Sequence, residues 1–403
     1  MKLLIAIPAL NEEASIESII ERTLAARKQI IARSPVTEVT ITVVSDGSTD
    51  RTVELARGYE PQIRLIVFEA NRGYGAAIKE AWRQSDADLL SFLDADGTCD
   101  PNFFADLCIA LEREKADVVL GCRLHPGSKM PLIRRLGNFI FATLLTVFSS
   151  RRVRDTASGM RVVRRSCLPR LMPLPNGLHF TPAMSARAML SEDIRIIEMD
   201  MPYHEREGES KLRVAEDGLR FLRVILNTAF LYRPSRPFGL LGLGCLTAAG
   251  AVMVSPLSFY LRHDEVLEWM IYRFIVSHLL GISGCLFLCA GYLCTRLVKI
   301  SLSVPPPRRS LYRLLDGFFA SSLFWMVPTA FAVGGGILVL PSFLELVATG
   351  STYEHWSRFI AMSFFLSVSI VLGVTKAIGF VIDLMGEKLE FLRGRAPDNT
   401  MAP

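Results

Sequence analysis

Asp88–Gly97 reads DLLSFLDADG, and this stretch decides the fold. An apolar run of strand length ends abruptly in two carboxylates, Asp94 and Asp96. A short run rich in Leu and Phe, bounded by polar residues, suits a strand buried on both faces of a parallel sheet. Two carboxylates spaced i, i+2 where such a strand ends can reach one hard cation. Mg²⁺ or Mn²⁺ accepts oxygen ligands of this kind while keeping waters and substrate phosphates. The pair alone is a weak signal, so its surroundings must carry the argument.

Working outward, four further strands of the same character are predicted at Lys2–Pro8, Glu38–Ser45, Ile63–Phe68 and Asp117–Cys122. Helical patterns lie between them, at Glu12–Ile31, Asp50–Arg57, Gly73–Ser85 and Pro101–Glu114. Asp50 and Asp100 stand where N-caps belong, and Pro101 follows at the first helical position. Strands alternating with helices predict an α/β domain with a mainly parallel sheet. Ligands of such sheets bind beyond the carboxyl ends of the strands. Here those ends read Pro8-Ala-Leu-Asn-Glu12, Ser45-Asp-Gly-Ser-Thr-Asp50, Glu69-Ala-Asn-Arg-Gly73 and Asp94-Ala-Asp96, all polar and loop-forming.

From Phe238 the character changes. Apolar stretches at about 238–261, 271–295, 317–347 and 359–385 each exceed the ~20 helical residues that cross a hydrocarbon core. Composition agrees: of 403 residues 50% are hydrophobic and 21% charged, with a mean hydropathy of +0.33, which points to one water-soluble part and one membrane part. Disordered, collagen-like and disulfide-framework classes are excluded. The eight cysteines form no CxxC pair, so no zinc or redox motif is indicated. Leu3–Ile7 is too short for a signal peptide. Basic residues gather in the loop between spans two and three (Arg296, Lys299, Arg308, Arg309, Arg313) and after span four (Lys388, Arg393, Arg395). This asymmetry puts the first domain and both termini in the cytoplasm. Lys376 is expected to snorkel to the interface.

The net charge of +5 is less telling than its distribution. Residues 123–170 carry 11 basic side chains and one acid, Asp155, so this run faces anions. Nucleic acid is the weakest partner beside lipid-length helices. Pro131–Phe148, within an interfacial element at about 130–149, and Glu216–Tyr232 mix arginines with Phe, Leu and Ile at helical spacing. Both are expected to lie in the membrane interface. The expected organisation is therefore a cytoplasmic α/β domain over 1–215, a juxtamembrane helix and linker over 216–237, four spans over 238–385 and a tail over 386–403.

Four blocks at the strand ends, Ile7-Pro-Ala-Leu-Asn-Glu-Glu13, Val44-Ser-Asp-Gly-Ser-Thr-Asp50, Asn71-Arg-Gly-Tyr-Gly-Ala-Ala77 and Leu93-Asp-Ala-Asp-Gly97, together resemble the family-2 inverting glycosyltransferases with the nucleotide-sugar-binding (GT-A-type) fold. The resemblance covers about residues 1–215. It implies that Pro8, Leu10 and Glu12 line a nucleoside pocket, that Asp46 contacts base or ribose, and that Asp94 and Asp96 hold a metal on the donor diphosphate. Many relatives carry two Asp where this chain has Ser45-Asp46. A further metal ligand of some relatives falls here at Thr98.

Gly121-Cys-Arg123, Arg134-Arg-Leu-Gly-Asn138, Asp155-Thr-Ala-Ser-Gly-Met-Arg161 and Tyr203-His-Glu-Arg-Glu-Gly-Glu-Ser-Lys-Leu212 narrow the likeness to the polyprenyl-phosphate glycosyltransferases, which include dolichol-phosphate mannose synthase and its glucosyl relatives. That resemblance implies transfer of a hexose from a UDP- or GDP-sugar to a polyprenyl phosphate. The acceptor phosphate would meet Arg123, Arg134, Arg135 and Arg206. Arg206 and Lys211 would act catalytically with Asp94 and Asp96, and Asp155 is a candidate for orienting an arginine or touching the sugar. A lipid bilayer is the expected partner, and a homo-oligomer is compatible with the sequence.

The chemistry supports this independently. A phosphate monoester is already anionic near neutral pH and needs no general base. The enzyme must instead bring two anions together, by positioning and charge stabilisation. A processive polysaccharide synthase would need a QxxRW motif, and the chain has none. Transfer to a lipid hydroxyl would need a base, for which Glu192-Asp193 is the one candidate. A membrane scaffold or lipid-sugar transporter is the non-enzymatic alternative.

Overall fold

The computed structural model describes residues 1–125, 130–149, 151–204, 214–302, 311–352 and 355–394. Its contacts divide the chain into two compact units, Met1–Ala229 and Phe230–Pro403.

The first unit runs β1 (Lys2–Ala9), α1 (Ile16–Arg33), β2 (Glu38–Ser45), α2 (Thr52–Arg57), β3 (Arg64–Val67), α3 (Tyr74–Arg83), β4 (Leu89–Phe92), α4 (Phe104–Arg113), β5 (Val118–Cys122), α5 (Leu132–Phe148), β6 (Arg161–Arg164), α6 (Leu168–Leu171), α7 (Phe180–Leu190), β7 (Ile196–Asp200) and α8 (Val214–Tyr232). The seven strands form one sheet in the order β3-β2-β1-β4-β6-β5-β7. β1 pairs in parallel with β2 and β4, β2 with β3, and β5 with β7. The two antiparallel pairs both involve β6, which sits between β4 and β5. The sheet is mainly parallel, as its apolar strands imply: Leu3, Ile5, Ile7, Val43, Leu89 and Leu90 are at most 1% exposed.

All five expected strands are present, with β3 and β4 shorter at both ends. Asp100 caps its helix as expected, its Oδ1 accepting from the Asn102 amide at 3.0 Å. Asp50 lies one residue further out, yet its carboxylate still takes the Thr52 amide at 3.0 Å. β6 was not anticipated. It is only four residues long, with arginine at both ends, and it leads straight out of the Asp155–Met160 loop.

α8 crosses the expected boundary at 215, and its first part belongs to the α/β unit. The cause is packing: Phe221 meets Phe141 of α5 edge-on at 5.9 Å, and Ile225 and Ala229 are fully buried.

The second unit holds α9 (Ser235–His263), α10 (Ile271–Leu302), α11 (Leu311–Ala320), α12 (Met326–Thr349) and α13 (Trp356–Gly394). Among the described residues four helical segments are long and apolar enough to cross a membrane: Ser235–His263, Glu268–Leu302, Met326–Thr349 and Trp356–Leu392. α9 packs on α10, α10 on α13, and α13 on α12. The expected third span at 317–347 is corrected. Its first residues belong to α11, a separate helix that stops at Ala320, and the span begins at Met326. Phe319 stacks on Tyr292 at 4.6 Å, which turns α11 onto α10. Lys376 has its partner within the helical unit. Its ammonium donates to the carbonyl of Phe319 at the end of α11 and lies 5.7 Å from the Phe324 ring centroid.

Candidate active site

The carboxyl ends of β1, β2 and β3 are tied into one rim by hydrogen bonds between their loops. The Asn11 side chain accepts from the Thr49 amide at 2.8 Å, and the Glu12 amide donates to the Thr52 hydroxyl at 2.8 Å. Asp46, 2% exposed, accepts from the Arg72 amide at 2.7 Å and the Gly73 amide at 3.1 Å. Gly73 has φ +103°, a conformation that L side chains rarely adopt, and a Cβ there would lie 2.5 Å from the Asn176 carbonyl. Burial raises the Asp46 pKa above the usual carboxylate value, against those two amides.

Below this rim lies a cavity of about 580 Å³. Pro8, Leu10, Glu12, Asp46, Asp94 and Asp96 line it, all from the expected donor side. Arg123 and Arg134 line it too, and so join the carboxylates in one cavity.

The two carboxylates beyond β4 are each held by a hydroxyl. Tyr74 donates to Asp94 Oδ1 at 2.6 Å, and Thr98 donates to Asp96 Oδ1 at 2.6 Å. Burial, with the negative charge of Asp94, pushes the Tyr74 pKa well up, so the phenol stays a donor. Gly159 presses on the other side of Asp94, where a Cβ would fall 1.9 Å from Oδ2. Thr98, at the place of a third metal ligand in some relatives, orients Asp96 instead. Two fixed hard-oxygen carboxylates in an open cavity fit a Mg²⁺ or Mn²⁺ ion that keeps its remaining positions for water and phosphate. No group of three or more His, Cys, Asp and Glu side chains suited to a metal occurs among the described residues.

Arg123 is oriented from behind. Asp155 accepts from its Nε at 2.7 Å, its Nη2 at 2.9 Å and its backbone amide at 3.0 Å. The guanidinium also lies 5.7 Å from the Tyr203 ring centroid. Asp155 itself is fully buried and does not line the cavity. The expectation of a sugar contact is therefore corrected: its carboxylate is engaged by Arg123 and Asn138, and it orients the arginine. Arg161, also fully buried, braces the same loop by donating to the carbonyls of Ser158 at 3.0 Å and Thr156 at 2.8 Å and to the Ser185 hydroxyl at 2.9 Å. Burial lowers its pKa to about 10, so it remains charged at neutral pH.

Arg135, the other expected phosphate ligand on α5, does not line the cavity. Ile133, Arg134, Gly137 and Phe141 mark the side of α5 that faces the cavity, and Arg135 falls outside that side. Arg206 and Lys211 lie outside the described residues. The described residues nearest before them lie by the carboxylates: the His204 amide donates to the Thr98 carbonyl at 2.9 Å and Tyr203 bridges to Cys99. Glu192 and Asp193 form the turn between α7 and β7 and do not line the cavity. Asp193 is instead paired with Arg170 at 3.4 Å.

Sequence reasoning missed the apolar wall of the cavity, made by Ile133 and Phe141 of α5, Leu178, and Phe221 of α8. It also missed Arg220, which lines the cavity from α8 while paired with Asp217 at 3.1 Å. The amphipathic pattern marked both helices, but nothing in it said that they face each other.

A sequence profile described as Glycosyl transferase family 2 matches residues 4–171. A low-salt glycan biosynthesis hexosyltransferase of Haloferax volcanii is 35% identical over 248 residues, 60% of this chain and 57% of that protein. A dolichyl-phosphate hexose transferase of the same organism is 31% identical over 209 residues, 50% of this chain and 82% of that protein. Among solved structures, a glucosyl-3-phosphoglycerate synthase of Mycobacterium tuberculosis is similar at TM-score 0.45, with 19% identity over 57% of this chain and 78% of that one.

Proposed function

The chain belongs to glycosyl transferase family 2, and from that premise we propose that it transfers a hexose from a nucleotide-diphosphate sugar to a polyprenyl phosphate with inversion. The observation that carries this reading is a single cavity lined by groups of two kinds. Asp94 and Asp96 line it together with Arg123, Arg134 and the apolar Ile133, Phe141 and Phe221 of α5 and α8. A metal-bound nucleotide diphosphate matches the carboxylates, and a ligand with an anionic head and a hydrocarbon tail matches the arginines and the apolar residues. The name of the dolichyl-phosphate hexose transferase that resembles this chain agrees with a lipid-phosphate acceptor.

Asp94 and Asp96 would hold Mg²⁺ or Mn²⁺, which would neutralise the charge of the departing diphosphate. The rim residues Pro8, Leu10, Glu12 and Asp46 would seat the nucleoside. Arg123, clamped by Asp155, and Arg134 would hold the acceptor phosphate, with Arg206 and Lys211 adding positive charge. One phosphate oxygen attacks the anomeric carbon while the bond to the leaving diphosphate breaks on the opposite face. That single displacement inverts the configuration and needs no proton abstraction. The lipid-hydroxyl alternative is not favoured, since its candidate base, Glu192-Asp193, is away from the cavity.

Four apolar helices make the protein an integral membrane protein. We place the α/β unit and both termini on the cytoplasmic side, from the basic loops between spans two and three and after span four. α5 exposes Leu132, Leu136 and Phe139, at least 60% each, and these would enter the bilayer interface. UDP-glucose and GDP-mannose are the donors to test, with undecaprenyl and dolichyl phosphate as acceptors. Nucleotide release by the full-length protein with Mg²⁺ or Mn²⁺ should depend on lipid phosphate and favour one donor. Release that instead needs a lipid hydroxyl would overturn the acceptor class.

A further inference from the structure

α5 has two unlike faces. One exposes Leu132, Leu136, Phe139 and Ile140. The other buries Ala142, Leu145 and Phe148, and among them one polar side chain, Asn138, 5% exposed. A buried amide must use its hydrogen-bonding groups or pay their full desolvation. Asn138 uses them on the loop that carries Asp155. Its Nδ2 donates to Asp155 Oδ1 at 2.6 Å. Its Oδ1 accepts from the Thr156 amide at 3.1 Å and the Thr156 hydroxyl at 2.9 Å.

Asp155 passes this constraint on. Its carboxylate takes Arg123 through two guanidinium nitrogens, a fork that works only if the carboxylate plane is fixed. A carboxylate is free to rotate about its last torsion, and on the Oδ1 side the Asn138 amide at 2.6 Å, with the longer Ala157 backbone amide at 3.3 Å, restrains it. The guanidinium, its side chain 14% exposed, then meets the cavity in one orientation.

We propose that Asn138 is a positioning residue: from α5 it fixes the Asp155 carboxylate, and through it the aim of Arg123 at the acceptor phosphate. Recognition of the lipid phosphate then depends on how α5 is seated on the loop before β6. This rests on the reading above that Arg123 meets the acceptor. It differs from a general anchoring role for a buried amide, which would weaken both substrates together.

The test uses the full-length protein in detergent with undecaprenyl phosphate and the preferred donor. Asn138→Ala should raise the acceptor KM by about tenfold, the size expected for one hydrogen bond to a charged group. Donor affinity, measured separately by titration calorimetry, should stay within twofold. Asn138→Ser repeats the comparison if the alanine variant does not fold. The deciding arm is an Arg123→Lys background. Lysine presents a point charge and no fork, so there is nothing to aim. There Asn138→Ala should change the acceptor KM by less than twofold. A full tenfold effect in that background, or a parallel loss of donor affinity, would overturn the relay. Nucleotide release by the wild type that ignores lipid phosphate would overturn the reaction itself, and this role with it.

Discussion

Replacing Gly159 by alanine separates catalysis from folding. The added Cβ would lie 1.9 Å from Asp94 Oδ2, 2.6 Å from Cγ and 3.0 Å from Oδ1. An ordinary contact is about 3.5 Å, so the carboxylate must retreat by roughly 1.5 Å. Asp94 lines the cavity, and the displacement breaks the 2.6 Å hydrogen bond from Tyr74. That costs about 1–2 kcal/mol. The chemistry suffers more. A displacement of about 1 Å at a reacting centre costs on the order of 10²-fold. The expected loss in kcat/KM is therefore about 100-fold, or about 2.7 kcal/mol of transition-state stabilisation. The assay is nucleotide release at varied Mn²⁺ and donor, with thermal unfolding of the same samples. A folded Gly159→Ala protein with kcat/KM within threefold of wild type, and an unchanged Mn²⁺ dependence, would refute the assignment of Asp94 to the reacting centre.

Two other changes act on the same shell. Asp155→Asn leaves the Arg123 charge without its partner and should cost about 3–5 kcal/mol of stability, read by unfolding. Burial alone would raise the Asp155 pKa, but the charge and hydrogen bonds of Arg123, with the Asn138 amide, hold it below the usual carboxylate range. A carboxylate depressed in the fold stabilises above its unfolded pKa and loses that contribution as pH falls through the folded value. Wild-type stability should thus owe no pH dependence to this pair between about pH 5 and 8, and the pair's contribution should fade below about pH 4. An equally steep acid decline in Asp155→Asn would contradict the assignment. Tyr74→Phe removes the hydroxyl on Asp94 without changing the aromatic packing on Phe92 and Phe180. It should weaken Mn²⁺ binding about tenfold, as seen by paramagnetic titration, with little loss of thermal stability. Unchanged Mn²⁺ affinity would show that Asp94 does not need that bond.

Strand and helix periodicities, apolar runs of membrane length and polar blocks at strand ends are local properties of the chain. They were enough to read the α/β domain, the four apolar stretches and the Asp94-Ala-Asp96 pair, while Pro8, Leu10, Glu12 and Asp46 were singled out by the resemblance to family-2 glycosyltransferases. Those residues come together because every parallel strand delivers its carboxyl end to the same edge. What lies far apart in sequence could not be read this way. β6 enters the sheet antiparallel between β4 and β5, and so brings Gly159 onto Asp94, 65 residues earlier in the chain. Asp155 could equally have touched a sugar or an arginine, and only burial against Arg123 and Asn138 decided it. Arg134 and Arg135 are neighbours in sequence, yet Arg134 falls on the side of α5 that faces the cavity with Ile133, Gly137 and Phe141, and Arg135 does not. The third span lost its first residues to α11 because Phe319 stacks on Tyr292, a contact that hydropathy does not encode. The sequence by itself thus determined which chemical groups are available and at which edge of the sheet they gather. The tertiary structure decided which of them touch, because side-chain orientation and burial depend on partners that local pattern does not specify.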